Sequence, residues 1–302
     1  MSSVHLPGPA PFIDPCWDPV FKSIFTKDTT SSKIARRDLL SALLEQNVAD
    51  VIITANEPAV AFLGDRQIRY DINCTLDSGE HINIEMTLYP NIHESVKLEY
   101  YSGRLFTGQG IRGKSYNDLC RTYQISILAN RKLFNDTWFD HRFFYYDPEK
   151  NISLGGRTAI LVLELEKLRY IAGKPVSEMR RKEWWGIFFK YFNDPEKQEM
   201  VREITRKEEG IAMATEVLWK YREDEAAFFY AMSKEKYELD MRSHEEDARE
   251  LGHAQGRAQG WEEAQAEIRR QDLETAKKMQ DRGFPADEIR ELLPRLSAED
   301  IL

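Results

Sequence analysis

Two carboxylates and a hydroxyl recur on the polar side of one stretch, residues 69–89, RYDINCTLDSGEHINIEMTLY. Ile68, Tyr70, Ile72, Cys74 and Leu76 alternate with Arg69, Asp71, Asn73 and Thr75. Ile82, Ile84, Met86 and Leu88 alternate with Asn83, Glu85, Thr87 and Tyr89. Period-two alternation of this kind predicts two strands, each with one buried face. Asp77-Ser78-Gly79 between them reads as a hairpin loop with glycine at the left-handed position. Residues equidistant from Ser78 then face each other, so Ile72 meets Ile84 and Asp71 meets Glu85. Directly opposed side chains have Cβ atoms roughly 4.5–5.5 Å apart, and two like charges there repel. Such a pair calls for a proton or a cation. An all-oxygen pair suits Mg²⁺, which takes one or two carboxylates and keeps several waters. The plainer alternative is a solvated polar strand face. Thr87 shares the face of Glu85, and Gln124, opposite in alternation to Tyr123 and Ile125, can share it too.

These residues need elements to hold them. Residues 14–25, DPCWDPVFKSIF, predict a helix with Asp18 as N-cap and Pro19 in its first turn. A polar loop over 26–32 leads to a second helix, 34–46, with the apolar stripe Leu39, Leu40, Leu43 and Leu44. A short strand is expected over 51–54 and irregular chain over 56–64. After the hairpin come a helix over 92–107, glycines at Gly108, Gly110 and Gly113, and a strand over 119–128. Strand, helix, strand in that order predicts a crossover and parallel pairing. Two further strands are expected over 142–146 and 158–165. The fold class is therefore α/β, a mixed sheet flanked by helices.

From Ser177 the chain reads as helical, with Trp184, Trp185, Ile187, Phe188, Tyr191 and Phe192 as core. The expected organisation is one domain over 1–232, with a helical subdomain from about 177. A charged Gly-repeat helical linker over 233–270 and a short helical element over 271–302 follow. Gly252, Gly256 and Gly260 recur at a spacing that either lets two helices approach closely or marks a tolerant linker. The first case would make a homo-oligomer through the C-terminal helices.

No apolar run in the 302 residues approaches membrane-spanning length, and the first fifteen lack a signal pattern, so a cytoplasmic protein is expected. Cys16, Cys74 and Cys120 have neither zinc nor redox spacing. The net charge of −9 opposes phosphate binding, but between Ile92 and Lys132 seven basic residues outnumber three acidic ones.

DPVFKSIF, LLSALL, YDINCTLDSGEHINIEM, KLEYYSGRLF, YQISIL and LVLELEKL, in that order, resemble the Rpn family. These are recombination-promoting nucleases and transposases of the PD-(D/E)XK superfamily. The resemblance covers nearly the whole chain. It implies a DNA endonuclease dependent on Mg²⁺ or Mn²⁺, with DNA as partner. It implies that Asp71 and Glu85 hold the ion, with the Met86 carbonyl as a further ligand. The third motif position is usually Lys, or Gln in this branch, and here it is Thr87. A hydroxyl can hydrogen-bond a water but brings no positive charge. Either Thr87 suffices, or Lys97, which matches a position that is usually basic, supplies that charge, or the enzyme is impaired. Asp18 and Lys22 match the N-terminal motif and would add an acid and a phosphate contact. Glu45 is a further upstream acid, and Glu164 a buried partner for a basic side chain. Arg104, Arg112 and Lys114 are expected to line the DNA approach. Thr87 also supports a different class: a catalytically weak DNA-binding protein that keeps the nuclease fold. A third class is a protein-interaction module built on the C-terminal helices.

Overall fold

A computed structural model gives the architecture and describes residues 13–56, 69–110, 113, 115–220, 223–297 and 300. Its centre is a six-stranded sheet of β1 (Val51–Ile53), β2 (Ile72–Leu76), β3 (His81–Thr87), β4 (Thr122–Leu128), β5 (Asp140–Phe143) and β8 (Thr158–Glu164). The spatial order is β1-β2-β3-β4-β8-β5. β2 is antiparallel to β1 and β3, β3-β4-β8 run parallel, and β5 returns antiparallel on the edge. β6 (Tyr146–Asp147) and β7 (Ile152–Ser153) form a separate small hairpin. This is the mixed α/β sheet expected from the sequence.

Both faces of the sheet are covered. Ile72, Cys74, Ile82, Ile84, Met86, Ile125, Ile127, Leu161 and Leu163 project into the main core. There they meet α1 (Asp18–Thr26), α2 (Thr30–Leu44), α4 (Arg181–Tyr191), α5 (Gln198–Lys207) and α6 (Glu209–Trp219). Trp185, Ile187 and Phe188 of α4 are fully buried, as the aromatic run predicts. Across the sheet, α3 (Glu94–Thr107) packs Leu98 on Leu128 of β4 and Val162 of β8. A parallel strand pair covered on both sides is ordinary for a βαβ crossover. Here it means that the polar row on the α3 side of β3 and β4 is buried and not solvated.

Several boundaries differ from expectation. Trp17, not Asp18, is the N-cap of α1, which puts Asp18 inside the first turn. The loop before α2 is shorter than its polar sequence suggests, because the Thr29 hydroxyl caps the helix by accepting the Ser32 N–H at 3.2 Å. β4 begins at Thr122, since Tyr116–Asp118 form a 3-10 turn closed by Ser115. Most of the irregular segment after Asn56, and Ile68 with it, lies outside the described residues.

The chain divides into two compact units, Met1–Asp240 and Met241–Leu302. The expected linker over 233–270 lies within one continuous helix, α7 (Glu223–Asp281). Glycine at about 1 kcal/mol each against alanine does not break a helix of that length. Among the described residues of the chain itself, no atom lies within 4 Å of where a Cβ would stand on Gly252, Gly256 or Gly260. The second unit ends in α8 (Ala286–Leu292), where Ile289 packs with Ala276 and Leu296. Among the described residues no helix is long and apolar enough to cross a membrane.

Candidate active site

The hairpin sets the geometry. Ile72 pairs with Ile84, Asn73 with Asn83, Cys74 with Ile82 and Thr75 with His81, the register read from the alternation. The loop is closed by Leu76 N–H to Glu80 O and Gly79 N–H to Leu76 O, each 2.9 Å, with Gly79 at φ 94°. Asp71 lies one residue before β2, at the position opposite Glu85. Its N–H donates to Glu85 Oε1 at 3.1 Å, and its Oδ2 accepts the Met86 N–H at 3.0 Å. Asp71 is 7% exposed and Glu85 5%, so both carboxylates sit in a medium that opposes their charge.

Glu85 carries the electrostatic consequence. Burial and then the charge of Asp71 push its pKa up to about 7, against the opposing influence of Lys97 and the Asn83 amide. Asn83 Nδ2 donates to Glu85 Oε1 at 3.0 Å and to Gln124 Oε1 at 2.9 Å. Ser126 is the register partner of Glu85 on β4. Asn83 Oδ1, Gln124 Nε2 and Ser126 Oγ are buried without a hydrogen-bond partner. Gln124 thus shares the polar face as expected. Asn83 is a member that alternation alone leaves among the solvated polar residues.

α1 reaches the same carboxylates. Its apolar face, Val20, Phe21, Ile24 and Phe25, is wholly buried, which fixes the helix against the core. On another face Lys22 Nζ stands 2.9 Å from Asp18 Oδ1 and 3.0 Å from Asp71 Oδ1. Burial works against the Lys22 ammonium, but Asp71 and Asp18 outweigh it and hold its pKa above the ordinary value. Asp18, Lys22 and Asp71 are therefore brought together, across 48 intervening positions between the last two, by packing and not by sequence proximity.

α3 closes the other side with a residue the sequence reading missed. Glu94, 2% exposed, stands in its first turn. Its Oε1 accepts from Lys97 Nζ at 3.3 Å and lies 3.5 Å from Thr87 Oγ1. An acid in a first helical turn is the common dipole preference, so the sequence carries no signal that separates this one. Burial opposes the Lys97 charge, but Glu94, then Glu85, Tyr101 and Asp71, hold its pKa up. Lys97 also lies 5.5 Å from the centre of the Tyr101 ring.

The remaining expected residues separate. Arg104, half-buried on α3, lies within electrostatic reach of Tyr70. Arg112 and Lys114 lie outside the described residues. The Met86 side chain belongs to the main core, on the face opposite Glu85. Glu45 ends α2 in the left-handed conformation and pairs with Lys182 at 2.9 Å and Arg142 at 3.8 Å, not with the Asp71 group.

A second polar knot lies at the end of β8. Asp136, His141 and Glu164 offer ligand atoms within 4.8 Å of one another, a grouping able to hold a metal ion. Lys167 is already seated there. Its Nζ lies 2.6 Å from Asp136 Oδ1, 3.3 Å from His141 Nε2 and in direct contact with Glu164 Oε2. Glu164 and Lys167 are almost wholly buried, and Glu164 Oε1 also accepts the N–H groups of Leu133 and Phe134. Glu164 is thus the buried structural partner of a basic side chain that its strand context suggests.

The family model described as PD-(D/E)XK nuclease family transposase matches residues 15–248. No curated protein matches the chain, and neither does any solved structure.

Proposed function

The chain belongs to the PD-(D/E)XK nuclease family of transposases, and from that premise we propose that it is a divalent-ion-dependent DNA endonuclease serving recombination or DNA mobility. Asp71, Glu85 and the Met86 carbonyl would hold the ion, Mg²⁺ or Mn²⁺. The observation that carries this reading is the Asp71–Glu85 pair: opposed across the hairpin, buried, and electrostatically strained enough to push Glu85 up to about 7. The all-oxygen donor set and the orphaned Asn83 Oδ1 beside it fit a hard divalent ion with coordinated water. Such an ion polarises a scissile phosphate, lowers the pKa of an attacking water and stabilises the leaving oxygen.

The chain's own residues divide the rest. Asn83 and Gln124 orient Glu85. Thr87 Oγ1 accepts from or donates to a water near Glu94. Lys97, held by Glu94, supplies positive charge that Thr87 lacks. Lys22, Arg104, Arg112 and Lys114 contact DNA phosphates, and Asp18 positions Lys22. Supercoiled plasmid incubated with Mg²⁺ or Mn²⁺ is nicked or linearised by the wild type and left intact by Asp71→Asn. Equal cutting by both removes Asp71 from the chemistry and overturns the site assignment.

Thr87 favours one other reading, a DNA-binding protein of weak catalytic power on the same fold. Salt-sensitive DNA retention with no cleavage in any divalent ion selects it.

A further inference from the structure

We propose that Lys22 is the resident cation of this site: its ammonium occupies Asp71 until a divalent ion takes that carboxylate, whereupon it stays on Asp18 and turns to the DNA phosphate. This rests on the reading of Asp71 and Glu85 as the ion's ligands.

The geometry assigns the role to Lys22 and not to Lys97. Lys22 Nζ is 3.0 Å from Asp71 Oδ1, in direct ion-pair contact with the carboxylate an ion would need. Lys97 Nζ is paired at 3.3 Å with Glu94, so it can keep its place whether or not Asp71 is engaged. Asp71 Oδ2 is committed to the Met86 N–H at 3.0 Å. Its Oδ1 is the oxygen on which an ammonium and a divalent ion would compete.

Release of the ammonium is inexpensive because Asp18 offers a second place. Asp18 Oδ1 is 2.9 Å from the same Nζ, one helical turn back on α1. A buried charge that loses its sole partner is costly, whereas one that keeps a carboxylate and faces solvent is not. The Lys22 side chain is 27% exposed, so the head can move outward without unpacking α1, whose apolar face stays in the core. Beside the fixed charge of Lys97, Lys22 then brings a movable one from α1, compensating the acid pair before the ion arrives and the phosphate afterwards.

The test measures Mn²⁺ affinity by electron paramagnetic resonance, without DNA or turnover, for wild type, Asp71→Asn, Lys22→Met, Lys97→Met and Lys22→Met/Asp18→Asn. Circular dichroism checks that each is folded. Competition predicts that Lys22→Met tightens Mn²⁺ binding by roughly tenfold, and clearly more than Lys97→Met. It also predicts that the ¹⁵N–¹H signal of the Lys22 ammonium shifts in the wild type when Mg²⁺ is added. Removing Asp18 has little further effect once Lys22 is gone. Equal gains in Lys22→Met and Lys97→Met would reduce the effect to general charge and overturn the proposal, as would an unmoved Lys22 signal at saturating Mg²⁺. Wild type and Asp71→Asn binding Mn²⁺ alike would instead remove the underlying ligand assignment.

Discussion

Asp71 and Glu85 hold each other's backbone neighbourhood: the Asp71 N–H donates to Glu85 Oε1 at 3.1 Å, and Asp71 Oδ2 accepts from Met86 N–H, the residue after Glu85, at 3.0 Å. Each carboxylate therefore has one oxygen tied to the fold. The pair is fixed in orientation without any ion, which is what a preformed cation site requires. Replacing either acid by its amide keeps the shape and removes one charge. Asp71→Asn and Glu85→Gln are expected to lower divalent-dependent plasmid nicking by on the order of a hundredfold or more, with agarose gels and initial rates as the readout.

The same pair makes stability depend on pH. Glu85 ionises near 4.5 when unfolded and near 7 when folded, raised first by burial and then by Asp71. In that window the unfolded chain has already lost a proton that the folded chain keeps. The contribution of Glu85 to folding stability is then fully present below about pH 4.5 and is lost as pH rises through about 7. With chelator present, the thermal midpoint of the wild type should fall across this window more steeply than that of Glu85→Gln. Mg²⁺ or Mn²⁺ should restore it at pH 8 in the wild type alone. Parallel pH profiles for the two proteins would show that Glu85 does not carry the strain.

The hairpin was legible because two independent signals agree. Alternation on both sides of Asp77-Ser78-Gly79 gives one register, and only glycine suits the left-handed φ of 94° at its end. Gly79→Ala forces that conformation on an L residue and brings its Cβ to 3.3 Å from Cys120 Sγ. A loss of roughly 1–2 kcal/mol in urea unfolding is expected. What alternation could not show is that both sheet faces are covered. Asn83 and Gln124 read as outward polar residues yet are wholly buried. Glu94 escaped notice, and Lys22 entered only through the motif resemblance, for a different reason: each reaches the site through helix packing, and an i,i+4 pair or a first-turn acid looks ordinary in sequence. Glu45 misled because an acid near a helix end is equally compatible with a surface pair, which is what Lys182 provides.

The DNA approach is tested on α3. Lys97 and Arg104 lie on this helix. Phosphate contacts release counterions, so each alanine substitution should lower the slope of log affinity against log salt by about one. Fluorescence anisotropy with a labelled duplex across a salt series gives the slopes. Weaker binding with unchanged slope would show that the substitutions act through structure.

The Asp136–His141–Glu164–Lys167 knot is expected to be structural. Lys167→Met leaves the buried Glu164 without its ammonium, a change that costs roughly 3–5 kcal/mol when a buried pair is broken from one side. Lys167→Met/Glu164→Gln should recover a large part of that in urea unfolding. Zn²⁺ should not raise the thermal midpoint of the wild type, because Lys167 occupies the space between the three ligands. A clear rise would identify the cluster as a metal site instead.

Cutting α7 tests whether the last unit belongs to the chemistry. Among the residues whose side chains are described, the main core runs as far as Leu218, and the second unit has a cluster of its own, built on Ala276, Ile289 and Leu296. The residues described around Asp71 and Glu85, namely Asp18, Lys22, Asn83, Thr87, Glu94, Lys97 and Gln124, all lie in Met1–Asp240. A chain ending at Asp240 should therefore keep its helical and strand signature by circular dichroism, its Mn²⁺ affinity and its plasmid nicking. A second truncation, ending at residue 248, retains every position matched by the family model and separates loss of matched sequence from loss of the tail. If both shortened chains fold and bind Mn²⁺ but fail to cut, the C-terminal unit contributes to DNA engagement. If only the shorter one fails, the missing function lies in the turns of α7 between the two ends.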